Sequence, residues 1–142
     1  MNTKKLIIAV IVVFVLLEAT NYLIHEVILA STYMQETVSK AFRPKAEMDA
    51  VMWRMWISGL VWSFFFVFIF TKGYQNKGLL EGVRYGVYIA LFINFMAAVA
   101  QNVVYPIPYT LALQWFIYGF IQMVILGVVT AWIYKPAVAK SA

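Results

Sequence analysis

Apolar positions fall in four long blocks along this chain, and polar residues gather mostly between them. The first block, Leu6 to Leu29, reads LIIAVIVVFVLLEATNYLIHEVIL. A helix needs roughly 20 apolar residues to cross a hydrocarbon core about 30 Å thick, and this block is long enough. No formal charge occurs from Tyr85 to Tyr134. As one helix that run would be about 75 Å long, more than twice the core thickness, so it must hold two crossings. Tyr105-Pro106-Ile107-Pro108-Tyr109 is the expected break, since two prolines stop a helix and two tyrosines suit the interface. The pattern predicts spans over about residues 5–29, 51–71, 80–104 and 109–134. Residues 30–50 form a charged loop carrying Glu36, Lys40, Arg43, Lys45, Glu47 and Asp49, where Arg43-Pro44 should interrupt any short helix. Lys72-Gly73 ends the second span, and Lys135-Pro136 is expected to close the fourth ahead of a short frayed tail to Ala142. The expected fold is all-α, an integral membrane four-helix bundle forming a single membrane domain over residues 1–142.

Composition sharpens this reading. Hydrophobic residues make up 64% and charged residues 12%, against about 25% charged in an ordinary soluble domain, so most of the surface should face lipid. Cysteine is absent, which excludes disulfides, thiolate metal sites and cysteine nucleophiles. A single histidine argues against a multi-histidine metal site within one chain. The net charge of +5 needs no nucleic-acid partner, because Lys and Arg mark cytoplasmic loops in membrane proteins. Lys4, Lys5, Lys72, Lys77, Arg84, Lys135 and Lys140 fall on one side, and Lys40, Arg43, Lys45 and Arg54 on the other. The bias predicts both termini in the cytoplasm and residues 30–50 outside. Lys4 and Lys5 ahead of Leu6–Leu17 imitate a secretory signal, but the helical pattern continues past Glu18, so a retained first span is expected. No internal repeat is visible, which argues against an inverted-repeat transporter.

The candidate chemistry lies within the spans. Glu18 and His25 are two α-turns apart and should share a face, with Asn21 beside them. A carboxylate at that depth costs about 2.5–3.5 kcal/mol on insertion scales, so it should face protein or water. Helix rise puts Glu18, Asn94 and Gln122 near one middle layer, about 15–21 Å from the basic residues at their helix ends. His25, Arg54, Gln101 and Gln114 fall near the outer interface, about 26–31 Å from those ends, with Glu26 alongside. Asn94 and Gln101 repeat the two-turn spacing, and Gln114, Tyr118 and Gln122 recur every four. Gly82, Gly86, Ala90, Asn94 and Ala98 form a stripe of small residues suited to close helix contact. The expected interior has Glu18 among amides and is open or nearly open toward the outer side. The competing reading makes the amides interhelical glue. Arg54 should snorkel between Trp53 and Trp56, or pair with Glu26 or Glu18. The many Tyr and Trp residues are expected to serve mainly as an interfacial belt.

The run Asn21, His25, Leu29 and Tyr33, then Arg43-Pro44, Tyr85-Gly86, Pro106-Ile107-Pro108 and Trp115, resembles a group of small four-span bacterial membrane proteins known only as conserved hypothetical proteins of unknown function. The resemblance covers nearly the whole chain. It implies a four-helix protein of the bacterial inner membrane and brings no activity with it. In architecture alone the chain is also similar to the small multidrug resistance family, which has four spans and a carboxylate in the first, where Glu18 stands. The longer chain and the charged loop after span one depart from that family.

Three functions remain open. No nucleophile set, metal cluster or nucleotide loop is visible, which favours a non-enzymatic accessory or structural subunit of a larger membrane complex. Its partners would be the lipid bilayer and other membrane subunits or itself. A homo-oligomeric proton-coupled carrier or channel would use Glu18 to exchange a proton for substrate, with Asn94 and Gln122 shaping the site and His25 relaying protons. No cofactor is required by either reading. A third reading makes His25 an axial ligand to haem or a chlorophyll-type pigment.

Overall fold

The computed structural model describes residues 2–134. Four helices long and apolar enough to cross a membrane run over Thr3–Ile28, Trp53–Gly73, Leu79–Val104 and Tyr109–Tyr134, here spans one to four. The described residues contain no strand. The expected Lys135-Pro136 stop and the tail lie outside the described residues. Successive spans run antiparallel. Asn2 and Tyr134 meet at one end, where the Asn2 backbone N–H donates to the Tyr134 hydroxyl. That end is called the terminal end below, and the other the loop end.

Each boundary has a local cause. The Asn2 side chain caps span one by accepting from the Lys5 N–H. The break between spans three and four follows from the two prolines. Tyr105 turns extended, the Ile107 N–H bonds back to the Tyr105 carbonyl, and Asn102 Nδ2 donates to the Ile107 carbonyl at 2.9 Å. In the turn between spans two and three, Glu81 is buried and its carboxylate accepts from the Gln75 and Lys77 backbone N–H groups. Asn76 and Gly78 adopt positive φ in the same turn.

Span four is the hub. It packs along spans one and three, while span two leans chiefly on span one. The closest approach is between spans three and four. A Cβ added at Gly82 would stand 2.3 Å from the Gly127 carbonyl oxygen, and one at Gly86 2.4 Å from that of Met123. Only glycine permits this backbone contact, which is how apolar helices gain dispersion energy where lipid supplies no hydrophobic drive. The small-residue stripe therefore works within the chain, with Gly82, Gly86, Ala90 and Ala98 all buried.

Two separate cores result. The core toward the terminal end gathers Leu6, Val10 and Val13 of span one, Phe66, Val67 and Phe70 of span two, Ala90 of span three and Leu126 of span four. Tyr85 bridges spans three and two there, donating its hydroxyl to the Phe66 carbonyl at 2.6 Å. The second core lies at the loop end, where Ile24, Leu29 and Val38 meet Ile107, Leu111 and Ala112.

One expectation changes here. Residues 30–50 are not a plain loop: Ala30–Tyr33, Glu36–Ser39 and Lys45–Val51 are short helices, with the expected break at Arg43-Pro44. Val38 of the second is buried with Leu29 and Ile107, so part of this segment packs onto the loop end. Some aromatic residues also hold polar contacts within the structure, among them Tyr33, Tyr85 and Trp115.

Candidate functional site

Spans one and three each contain a π-helical stretch, Leu23–Ile28 and Ala90–Phe95. A π turn takes one residue more than an α turn, so side chains beyond it rotate away from the face that α spacing predicts. Each expected two-turn alignment has one member inside such a stretch, His25 in the first and Asn94 in the second. Glu18 and His25 reach different neighbours, Gly59 and Tyr33, while Asn94 lies on Gly119 and Gln101 is exposed, so the polar residues divide into separate places.

The first place is the seam between spans one and four. Gln122 is buried, and its Nε2 donates to Thr20 Oγ1 at 2.7 Å and to Asn21 Oδ1 at 2.9 Å, with the Leu17 carbonyl at 3.4 Å. Thr20 passes its own hydrogen to the Leu16 carbonyl at 2.6 Å. Within this cluster the Gln122 amide donors have acceptors and the Thr20 hydroxyl is satisfied. Beside it, Thr20, Tyr118 and Gln122 with Leu23, Ile24 and Ile121 line a small cleft of about 140 Å³.

Glu18 belongs to the opposite seam. Its carboxyl lies on Gly59 of span two, so that a Cβ there would stand 2.2 Å from Oε1. Glu18 is half-buried, and no donor or cation among the described residues bonds its carboxylate. Ser63, one turn from Gly59 on the same face of span two, is fully buried with its hydroxyl unpartnered among the described residues. Thus the carboxylate does have a neighbour from another crossing, but the amide layer is not that neighbour.

Asn94 seats its amide on Gly119 of span four. Gln114 is half-buried and makes no hydrogen bond among the described residues, and Gln101 is exposed. The Arg54–Glu26 pair does not form. Both residues are exposed, and the Arg54 guanidinium lies over the Trp53 ring at 5.6 Å. Among the described residues the ion pairs are Lys40–Glu36 and Lys45–Asp49, each one helical turn apart.

His25 is drawn into the loop-end cap. Its Nδ1 lies 2.6 Å from the Tyr33 hydroxyl, which also accepts from Trp115 Nε1–H at 2.7 Å. Indole N–H can only donate, so the Tyr33 oxygen is the acceptor in that bond, and this hydroxyl links Trp115 of span four to His25 of span one. In the tautomer whose Nδ1 accepts from Tyr33, the ring proton sits on Nε2. Tyr33 also stacks on His25 and meets Phe42 edge-on. Burial pushes the Tyr33 phenol above its ordinary pKa; the Trp115 hydrogen bond works against this, and the Glu26 carboxylate adds to the rise.

Several partners were not singled out from the sequence as site residues: Thr20, Gly59, Ser63, Tyr33 and Trp115. Gly59 carried a usable signal, because a glycine inside an apolar helix costs stability unless something approaches closely. Compared with protein-family models, curated proteins and solved structures, the chain matches none.

Proposed function

We propose that this four-span protein is an accessory or structural subunit that binds a neighbouring membrane protein along the face formed by spans one and two. Glu18 carries the reading. It is an intramembrane carboxyl, partly exposed beside Gly59, with no donor among the described residues of its own chain. The amide and hydroxyl nearest in sequence, Asn21 and Thr20, are engaged by Gln122 on the other seam. A carboxyl in that position is stabilised by a donor or cation from another chain, or else by a proton. The loop-end half of span two adds an unpacked surface: Trp53, Met55, Trp56, Ile57 and Leu60 are exposed. The Lys and Arg distribution and the resemblance to four-span bacterial proteins support a bacterial inner membrane with both termini cytoplasmic.

Gentle detergent extraction from native membranes tests this. The wild type should migrate in a complex of much higher mass, and Glu18→Leu should release it as a folded, free protein. Wild type found only as free monomer at native expression overturns the reading.

The same seam favours a second reading, a homo-oligomeric proton-coupled carrier, because the buried Ser63 hydroxyl stands one turn from the glycine under Glu18. Here Glu18→Gln should abolish proton-driven uptake in proteoliposomes while leaving the oligomer intact. Undiminished uptake in that variant would end this alternative.

A further inference from the structure

At the loop end, an open cleft of about 490 Å³ lies between the covering loop and the last turn of span three, lined by Ala41, Phe42, Arg43, Gln101 and Tyr105. Its size falls within the range of about 300–1,000 Å³ typical of small-molecule sites. Two separate elements build it, and each is held in place. On the loop side, the Phe42 ring packs against Tyr33 and Trp115, at 5.9 and 6.1 Å between centroids. On the span side, Tyr105 is fixed by the turn that its own carbonyl makes with the Ile107 N–H.

The polar groups lining this cleft are of one kind. Arg43 brings five N–H donors and a permanent charge, Gln101 an amide, and Tyr105 a phenol. None of these three side chains has a hydrogen-bond or ion-pair partner among the described residues. The lysines on either side differ, because Lys40 is paired with Glu36 and Lys45 with Asp49. No carboxylate lines the cleft. It also lies where span three ends, and a helix that crosses a bilayer ends near the headgroups.

We propose that this cleft binds a phosphate group, carried either by an anionic phospholipid headgroup or by a soluble phosphate compound. A guanidinium fork matches two phosphate oxygens in a way that a lysine cannot. The amide of Gln101 and the phenol of Tyr105 donate to the remaining oxygens, and Phe42 and Ala41 cover the apolar neighbour of the phosphate. A carboxylate, with two oxygens, leaves part of this donor set unused. The site stands apart from the Glu18 seam and does not depend on the proposed function.

The test uses the full chain in a phosphate-free maltoside detergent. Short-chain phosphatidylglycerol, inorganic phosphate and acetate are titrated separately at constant ionic strength, and the melting temperature is followed. Stabilisation by phosphatidylglycerol alone assigns a lipid headgroup, and stabilisation by inorganic phosphate as well assigns a site open to soluble phosphates. In either case Arg43→Gln should weaken binding roughly tenfold or more, as expected for loss of a charge-assisted bond. Arg43→Lys should fall between the two, and Tyr105→Phe should lose less. Arg43 is exposed, so Arg43→Gln without ligand should melt as the wild type does. If neither phosphate ligand separates the wild type from Arg43→Gln and Tyr105→Phe, or if acetate protects as well as phosphate, the proposal is overturned.

Discussion

Gln122 joins spans one and four through a single amide nitrogen that reaches Thr20 and Asn21. Its replacement by leucine keeps the volume roughly constant but leaves the Asn21 carbonyl oxygen facing an apolar neighbour. Gln122→Leu should therefore lower unfolding stability by about 0.6 kcal/mol, the average for polar pairs in membrane bundles, and by no more than about 1.7 kcal/mol. Detergent-mediated unfolding followed by circular dichroism would check it, and a gain in stability would refute the cross-link. Tyr33 makes a pH-dependent contribution. Its pKa is raised in the folded state, so the folded protein holds that proton more tightly than the unfolded chain. The contribution is complete below the ordinary tyrosine value of about 10 and fades as pH rises through the higher folded value. The phenolate absorbance of the wild type minus that of Tyr33→Phe should titrate late, and the extra alkaline lability of the wild type should vanish in the variant.

Spans three and four are joined by contact that only glycine allows. Gly86→Ala pushes a methyl against the Met123 carbonyl and should cost about 1–3 kcal/mol, as overpacking does. Gly73→Ala is the control: nothing lies within 4 Å of its added Cβ, so stability should be close to unchanged. Thermal unfolding of both variants would separate local packing from general helix effects. This packing was readable beforehand, because Gly82 and Gly86 stand four residues apart in regular α-helix, ahead of the π stretch that begins at Ala90. The four spans were readable for a similar reason, since a long apolar run is limited by bilayer thickness and two prolines divide it. The polar layer was not readable as drawn. Its alignments of Glu18 with His25 and of Asn94 with Gln101 assumed an unbroken α repeat, and no residue type in either run announces a π turn. The covering loop was hidden for another reason. Leu29 and Val38 are far in sequence from Ile107, and only the tertiary fold makes them a core.

On the scale of the whole molecule, the two cores follow one another along spans one and four, share no buried residue and should respond separately. Leu29 is almost fully buried under the loop, and Leu29→Ala should cost that cap about 2–5 kcal/mol. Amide hydrogen exchange in residues 30–42 should then accelerate, while the core around Val67 and Leu126 keeps its protection. Uniform acceleration throughout the chain would mean that the bundle opens as one unit.

The central position of span four also bears on biosynthesis. Of the four crossings it is the last to leave the ribosome, yet it is the one against which spans one and three are arranged. Until it is delivered, Asn21 lacks its amide donor, and Gly82 and Gly86 present bare backbone to lipid. Nascent chains halted before Tyr109 should thus remain loosely associated hairpins, open to membrane proteases and to insertion chaperones, and the native arrangement should appear only after translation of the fourth segment is complete.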